Sequence, residues 1–222
     1  MSIIIDFYGV PGAGKSTISH ELVKVLKSNG ATVISPSYEL DHQKNKINRK
    51  LIKFILSTKW ILKNYNEFQD IKTIFKHSKR EYLSDIVNIC YKKYYVDKYS
   101  SCDYIIFDEG FAQSAVSACF FNEINVQKAY DIITKKIKMP IVNILMIIND
   151  KNAIERIAKR GTFDSRLDKE RNKNNQLIMI KKFSEICNSL RVKKVLKIRG
   201  DNKTVTNINI IKEYCEYNFR EN

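Results

Sequence analysis

The chain has 222 residues, of which 44% are hydrophobic, so it can bury a sizeable core as one α/β domain over residues 1–222. Its 39 Lys and Arg residues outnumber 24 Asp and Glu residues, and the formal net charge of +15 indicates an anionic partner such as a nucleotide, a nucleic acid or a membrane surface. Lys, Asn and Ile are abundant along the whole chain, however, so compositional bias on solvated faces explains part of that charge. We expect a nucleotide rather than a nucleic acid.

Cysteine spacing and hydropathy exclude several protein classes. The five cysteines are an odd number without C-x-x-C spacing, and the three histidines are scattered, which predicts reduced thiols rather than a disulfide framework or a zinc site. No apolar run approaches the roughly 20 residues that span a bilayer, and the sequence starts directly with a strand-like run and no charged leader. We expect a cytoplasmic protein without a membrane partner.

The first informative stretch is a glycine-rich motif between a strand and a helix. Residues 3–8 are β-branched and aromatic, residues 9–17 fit the pattern G-x-x-x-x-G-K-[ST], and residues 16–27 space their apolar side chains as a helix does. This order predicts a phosphate-binding loop. The residues expected to bind the nucleotide are Gly9, Pro11, Gly12, Ala13, Gly14, Lys15, Ser16 and Thr17.

The chemistry of this motif suits ATP with Mg²⁺. Glycines let successive backbone N–H groups curl around a phosphate, and the N-terminus of the following helix adds its dipole. Lys15 is expected to reach the β- and γ-phosphates, and the Ser16 hydroxyl to ligate Mg²⁺.

The next hundred residues contain one strand and a long helical segment. Asn29 and Gly30 are typical of a helix end, and residues 31–35 predict the second strand, closed by Pro36. Residues 37–100 show helical spacing without a convincing strand, which predicts two or three helices. We expect this helical insert to cover the carboxyl end of the sheet and to bind an acceptor. Its basic and aromatic residues either line that acceptor pocket or form a solvated face and ordinary core.

A short apolar run that ends in two acids is the second informative stretch. Residues 104–107 predict a buried strand that delivers Asp108 to the carboxyl edge of the sheet, where it would hold Mg²⁺ together with Ser16. Glu109 follows directly and has three readings. It polarises water in an ATPase, it contacts the acceptor or accepts its hydroxyl proton in a kinase, or it caps the helix that starts near Phe111.

The remaining strands and helices continue the alternation. Residues 112–121 and 126–137 predict helices, and residues 140–148 predict a fourth strand. A last strand at 194–198 is followed by a helix at 204–217. Strands that alternate with helices predict a parallel sheet with helices on both faces.

The third informative stretch is rich in arginine. Residues 150–171 predict a short helix that runs into a glycine and a polar loop. Arg156 and Arg160 share a helix face and Arg166 follows, so a mobile segment could bring these guanidinium groups over the γ-phosphate as a lid. A plain cationic helix face, with Glu155 and Asp150 as its partners, is the alternative.

Taken together, these motifs resemble the thymidylate kinase-like branch of the nucleoside monophosphate kinases. The resemblance rests on the phosphate loop, the third strand with its Asp, and the helix with Arg-x-x-x-Arg-Gly. It implies a three-layer P-loop kinase fold: a five-stranded parallel sheet in the order 2-3-1-4-5, a helical acceptor-binding insert and an arginine-bearing lid. It also leaves room for a homodimer, because related folds often pair through helices beside the third strand.

Carried over by position, the resemblance implies a role for each site residue. Lys15 and Ser16 would serve ATP and Mg²⁺, and Asp108 the metal or the acceptor. Arg156, Arg160 and Arg166 would contact the transferring phosphoryl group. Glu109 belongs to the expected catalytic set because of its own carboxylate and not through the resemblance.

The predicted function is that of an ATP-dependent kinase acting on a nucleotide, a nucleoside or another small acceptor. Two alternatives stay open. One is a P-loop ATPase that uses Glu109 to activate water, linked to nucleic acid by its charge. The other is a nucleotide-binding protein without turnover.

Overall fold

The computed structural model of this protein describes residues 2–41, 46–76, 82–122, 124–159, 170 and 172–219. Five strands of this part of the chain form one sheet. They are β1 (Ile3–Gly9), β2 (Val33–Ile34), β3 (Tyr104–Phe107), β4 (Ile141–Ile147) and β5 (Val195–Arg199).

The strands pair in the order β2-β3-β1-β4-β5, and every pair is parallel. This confirms the predicted sheet. All seven residues of β1 are buried, as expected for a central strand that is covered on both faces. In the register, Asp6 of β1 lies beside Phe107 of β3, so the chain leaves both strands at the same edge of the sheet.

Helices cover both faces of the sheet. The described helices are α1 (Lys15–Ser28), α2 (Pro36–Asp41), α3 (Lys46–Lys63), α4 (Tyr65–Thr73), α5 (Leu83–Lys98), α6 (Phe111–Phe121), α7 (Val126–Thr134), α8 (Asp150–Lys159), α9 (Lys173–Ser189) and α10 (Thr204–Phe219). Helices α1 and α10 pack together against one face, whereas α6 and α9 contact β1 and pack with α7 on the other. The result is the predicted three-layer α/β arrangement.

Two predicted elements differ in detail from the structure. Strand β2 has only two residues. Thr32 precedes it and bonds to a side chain instead: its backbone N and its Oγ1 each donate to Asp103 Oδ2 at 2.7 Å. Pro36 ends this strand as expected and is also the first residue of α2, where its fixed φ and missing N–H cost nothing.

The helices were under-predicted in two places. The stretch predicted to hold two or three helices accommodates α2 to α5, because Asn64 separates α3 from α4 and acts as the N-cap position of α4. Helix α9 was not predicted at all. The signal for it was Asn172, whose side chain accepts hydrogen bonds from Asn174 N and Asn175 N at the start of that helix.

Polar contacts in the helical insert hold α3 and α4 on α5. Trp60 Nε1 of α3 donates to Asp97 Oδ2 of α5 at 2.8 Å. Glu67 of α4 and Lys93 of α5 form an ion pair in which both side chains are buried. The Lys93 ammonium also lies 5.7 Å from the centre of the Trp60 ring. These contacts fix the position of α3 relative to the edge of the sheet.

The five cysteines all lie in the described residues and are free thiols, as predicted. None of the helices in the described ranges has the length and apolar character needed to cross a membrane.

A buried carboxylate joins β1 to the start of α6. Asp6 is fully buried, and its Oδ2 accepts hydrogen bonds from Phe111 N at 2.8 Å and Ala112 N at 3.0 Å. Burial raises the pKa of Asp6 from 3.8 to about 7, although these amides and the charge of Lys92 act in the opposite direction. Gly110 passes so close to this carboxylate that no side chain fits there.

Gly110→Ala should destabilise the protein by about 3 kcal/mol or more, because the new Cβ would lie 1.9 Å from Asp6 Oδ1. Urea denaturation measures the change. Gly30→Ala is the control: its φ of +85° strains an alanine by about 1 kcal/mol, but nothing lies within 4 Å of the new Cβ. Equal losses for the two variants would show that Asp6 does not constrain position 110.

The raised pKa of Asp6 predicts a pH dependence of stability. The folded state favours the neutral carboxyl, so this contribution to the free energy of unfolding is present below pH 3.8 and is lost as the pH rises through about 7. The Asp6→Asn variant cannot ionise at this position, so its stability relative to the wild type should be greater at about pH 8 than at about pH 4.5. Urea denaturation of both proteins at these two pH values tests it, and a constant difference would contradict it.

Candidate active site

The phosphate loop (residues 9–17) connects β1 to α1 and requires its glycines. Gly9 has φ of +140°, and a Cβ there would lie 2.5 Å from the carbonyl oxygen of Met146 on the neighbouring strand. Gly14 has φ of +91° and is the N-cap position of α1, which the structure describes in full and which has no side-chain cap at this end. No side chain of the N-cap residue therefore competes for the amides of the first helical turn, and the helix dipole favours an anion at this end.

The other loop residues shape the turn around this helix end. Ala13 and Gly12 are buried and Pro11 is half-buried, whereas Thr17 is exposed in the first turn of α1. A Cβ on Gly12 would lie 2.7 Å from the carbonyl oxygen of Ala153 in α8, so the loop packs directly on that helix.

Lys15 is the first residue of α1, and its side chain reaches back to the start of the loop. Its side chain is only 6% exposed, and Nζ donates to Gly9 O at 2.8 Å and to Val10 O at 3.2 Å. Glu109 Oε1 lies 4.0 Å from the same nitrogen, and the Glu109 side chain is 63% exposed. The ammonium group is thus held over the loop, beside the carboxylate that follows β3.

Ser16 and Asp108 meet at the edge of the sheet. Ser16 Oγ donates to Asp108 Oδ2 at 3.0 Å, and Asp108 Oδ1 accepts from Glu109 N at 2.9 Å. A hydroxyl and a carboxylate are hard oxygen donors of the kind that Mg²⁺ uses when it binds mainly through phosphates and water. Among the described residues, no group of three or more His, Cys, Asp and Glu side chains could hold a metal by itself. The pair Ser16 and Asp108 fits a Mg²⁺ that arrives with a nucleotide.

A cleft of about 440 Å³ adjoins Asp108 and Glu109. Its volume is in the range of small-molecule sites. Its walls come from α2, α3, α5, the end of β3 and α6. The lining residues are Pro36, Ser37, Leu40, Arg49, Lys50, Lys53, Asp85, Asn88, Tyr91, Lys92, Phe107, Asp108, Glu109, Gln113, Ser114 and Ser117.

Gln113 is a site residue that the sequence did not reveal. It lies in the first turn of α6, is buried, and its Oε1 accepts a hydrogen bond from Gly9 N at 3.0 Å while the residue lines the cleft. It therefore ties the phosphate loop to the wall of the cleft. A single Gln in a helix has no distinguishing sequence signal.

Lys92 was also missed. Its Nζ donates to Gly110 O at 2.9 Å and to Ser114 Oγ at 2.7 Å. Burial lowers the pKa of Lys92 to about 8, against the opposing effect of the Asp6 and Glu109 charges. Only the packing of α5 on α6 brings this side chain to the cleft.

The arginine segment is described only in part. Arg156 of α8 donates from Nη1 and Nη2 to Gly200 O, both at 3.2 Å, and its Nη2 lies 3.3 Å from Asp201 Oδ1. A Cβ built on Gly14 would lie 3.8 Å from Nη1, so this guanidinium adjoins the start of α1. Arg160 and Arg166, with most of the predicted lid, lie outside the described residues.

No family model and no curated protein matches the chain. Among solved structures, it is similar to deoxyadenosine kinase from M. mycoides with products dCMP and a flexible dCDP bound, with TM-score 0.55, 17% identity, 98% of this chain and 100% of that chain covered. The chain has the fold of this P-loop kinase. The structure of the same kinase with bound dATP gives TM-score 0.53, 18% identity and coverage of 96% and 98%. The structure with bound dCTP gives TM-score 0.52 and 18% identity, and the match covers 96% of this chain and 99% of that chain.

The contact between Ser16 and Asp108 predicts how Mg²⁺ supports nucleotide binding. Asp108→Asn should raise the Mg²⁺ concentration needed for half-maximal ATP binding by about tenfold or more, because it removes the charge of the pair. Isothermal titration of ATP at graded Mg²⁺ measures this. Asp103→Asn is the control, since Asp103 precedes the same strand and contacts Thr32 instead. The same Mg²⁺ dependence in both variants would remove Asp108 from the metal site.

Proposed function

We propose that the protein is an ATP-dependent kinase that transfers the γ-phosphoryl group of ATP·Mg²⁺ to a nucleoside-like acceptor, a nucleoside or a nucleotide. The observation that carries this proposal is that three parts of the site lie next to one another. The phosphate loop with Lys15, the pair Ser16 and Asp108, and a cleft of about 440 Å³ share one edge of the sheet. An ATPase needs the first two parts, whereas an acceptor site explains the third.

In this mechanism the chain positions two substrates. The amides of the loop and the N-terminus of α1 bind the ATP phosphates, and Lys15 exchanges its contacts with Gly9 O and Val10 O for phosphate oxygens. Ser16 and Asp108 hold Mg²⁺, which when bound offsets the negative charge of the β- and γ-phosphates. The acceptor binds in the cleft beneath α3 and α5, where its attacking oxygen faces the loop.

During transfer, the acceptor oxygen bonds to the γ-phosphorus as the bond from that phosphorus to the bridging oxygen of ADP breaks. When the attacking group is a hydroxyl, its proton passes to Glu109, whose carboxylate borders both the cleft and Lys15. Arg156 contributes positive charge beside Gly14, and Arg160 and Arg166 complete the proposed lid.

The similar solved structures support a nucleoside-like acceptor. They are structures of a deoxyadenosine kinase with dATP, with dCTP, or with the products dCMP and dCDP bound, and nearly the whole of each chain is matched. Because a 440 Å³ cleft accommodates a compound of this size, the same class of acceptor suits the present chain.

Release of ADP with a panel of nucleosides, nucleotides and sugars tests the proposal. We expect an acceptor to raise ADP release well above its rate without acceptor. Lys15→Ala should lower that turnover by about 100-fold or more, since it removes the cation at the phosphates. Lys24→Ala is the control, because Lys24 lies on the exposed side of the same helix and pairs with Glu21.

Two outcomes would replace the proposal with an alternative. ADP release that is equally fast with no acceptor and is lost in Glu109→Gln would identify an ATPase. ATP binding without any product in single-turnover assays would identify a nucleotide-binding protein.

A further inference from the structure

Gln113 is shared by the phosphate loop and the cleft. Its Oε1 accepts a hydrogen bond from Gly9 N at 3.0 Å, and the residue is buried. It also lines the cleft, as does Ser117 about one helical turn later on the same face of α6. This face of α6 therefore forms the boundary between the two proposed substrate sites.

The two ends of the Gln113 amide face different sites. Gly9 N is a donor, so the side-chain oxygen of Gln113 must face it, and Nε2 lies on the other side of the amide. Nε2 makes no hydrogen bond within the described ranges, although the residue lines the cleft. A donor in a buried residue is stabilised by a partner, so Nε2 suits a hydrogen-bond acceptor on a bound compound.

Gly9 connects the Gln113 amide to the lysine of the phosphate loop. Its N–H donates to Gln113, and its carbonyl oxygen accepts from Lys15 Nζ at 2.8 Å. A Cβ on Gly9 would lie 2.5 Å from Met146 O, so strand β4 encloses this residue. Because both backbone groups belong to one enclosed residue, a displaced Gln113 amide alters the carbonyl group that holds the lysine.

The attachment of α6 to the sheet does not require this contact. Asp6 Oδ2 accepts from two amides in the first turn of α6, and Gly110 N donates to Phe7 O at 3.2 Å. These hydrogen bonds join the start of α6 to β1. The contact of Gln113 with Gly9 lies further along the chain, in the phosphate loop, and can change without releasing α6.

We propose that Gln113 is a positioning residue that couples the two substrate sites. An acceptor that receives a hydrogen bond from Nε2 fixes the amide, and the amide holds Gly9 and the phosphate loop in the form that binds ATP. The acceptor presents a carbonyl oxygen, a hydroxyl or a ring nitrogen at this point. Acceptor and ATP therefore strengthen each other's binding by the same factor. The inference rests on the proposed function for the two substrates, but binding alone measures it.

Isothermal titration of AMP-PNP, an ATP analogue that does not transfer its terminal phosphoryl group, measures this factor. It is the ratio of the Kd for AMP-PNP without and with a saturating second compound. That compound is the one that gives the fastest ADP release or, without release, each of adenosine, thymidine and their 5′-monophosphates. For the wild type we expect a factor of about 3 to 10, or about 0.7–1.4 kcal/mol, the range of one neutral hydrogen bond. A factor near 1 would overturn the inference.

Two leucine variants distinguish coupling from simple support of the loop. Gln113→Leu removes both ends of the amide and should bring the factor to about 1. Gln127→Leu is the matched control and should keep the wild-type factor, because Gln127 Oε1 also accepts from a backbone amide, Arg191 N, at 3.0 Å but lies outside the cleft lining. If Gln113→Leu weakens AMP-PNP equally with and without the second compound, the factor is unchanged and Gln113 only supports the loop.

A third variant separates the two ends of the amide. Gln113→Glu keeps an oxygen for Gly9 N, but its carboxylate has no donor for the cleft, so at pH 8 the factor should again be about 1. Its added charge acts on AMP-PNP with and without the second compound and cancels in the ratio. A wild-type factor in this variant would overturn the role of Nε2. Circular dichroism checks that all three variants are folded.

These measurements separate the inference from the proposed function. Release of ADP with a wild-type factor near 1 would overturn the coupling and leave the kinase proposal standing. A compound that shows coupling without ADP release would overturn the kinase proposal and keep the role of Gln113. If no compound binds, with or without AMP-PNP, both are overturned, because the coupling requires an occupant of the cleft.

Discussion

The parallel pairing of β1 with β3 is the constraint on which the candidate site depends. Parallel strands have their carboxyl ends at the same edge of a sheet. The phosphate loop after β1 and Asp108 after β3 therefore lie side by side. The hydrogen bond from Ser16 to Asp108 is the direct consequence of this pairing. An antiparallel β3 would place that carboxylate at the opposite edge, where it could not reach the loop.

Two buried charged residues hold the chain where it leaves β3. Asp6 holds the first amides of α6, and Lys92 binds the chain at Gly110 next to them. Burial favours the neutral form of both groups: it raises the pKa of Asp6 to about 7 and lowers the pKa of Lys92 to about 8. The end of β3 is thus fixed by buried polar groups, while the Glu109 side chain is 63% exposed beside the buried Lys15 and is accessible to a ligand.

The helical insert turns an edge of the sheet into a cleft. Helices α3 and α4 are held on α5 by the contacts of Trp60 and Lys93, and α5 packs on α6. The insert therefore adds a cleft of about 440 Å³ beside the phosphate loop. It is this addition that favours an acceptor-dependent reaction.

The sequence by itself determined the phosphate loop, the buried strand that ends at Asp108, and the alternation of strands and helices. These are local patterns, because glycine spacing and apolar periodicity are set by the backbone and by burial within a few residues. The sheet order was implied by the resemblance of those motifs to a family, and the structure confirms it. The roles given to Arg160 and Arg166 stay predictions, since both lie outside the described residues.

The tertiary structure decided which side chains join the site. Gln113 and Lys92 belong to helices whose sequence periodicity marks a buried face but not the neighbour that the face contacts. Helix α9 escaped detection because one Asn cap is a weak signal in a chain rich in Asn. Contacts between residues distant in the sequence, such as Gly9 with Gln113, arise only when the strands pair and the helices pack on them.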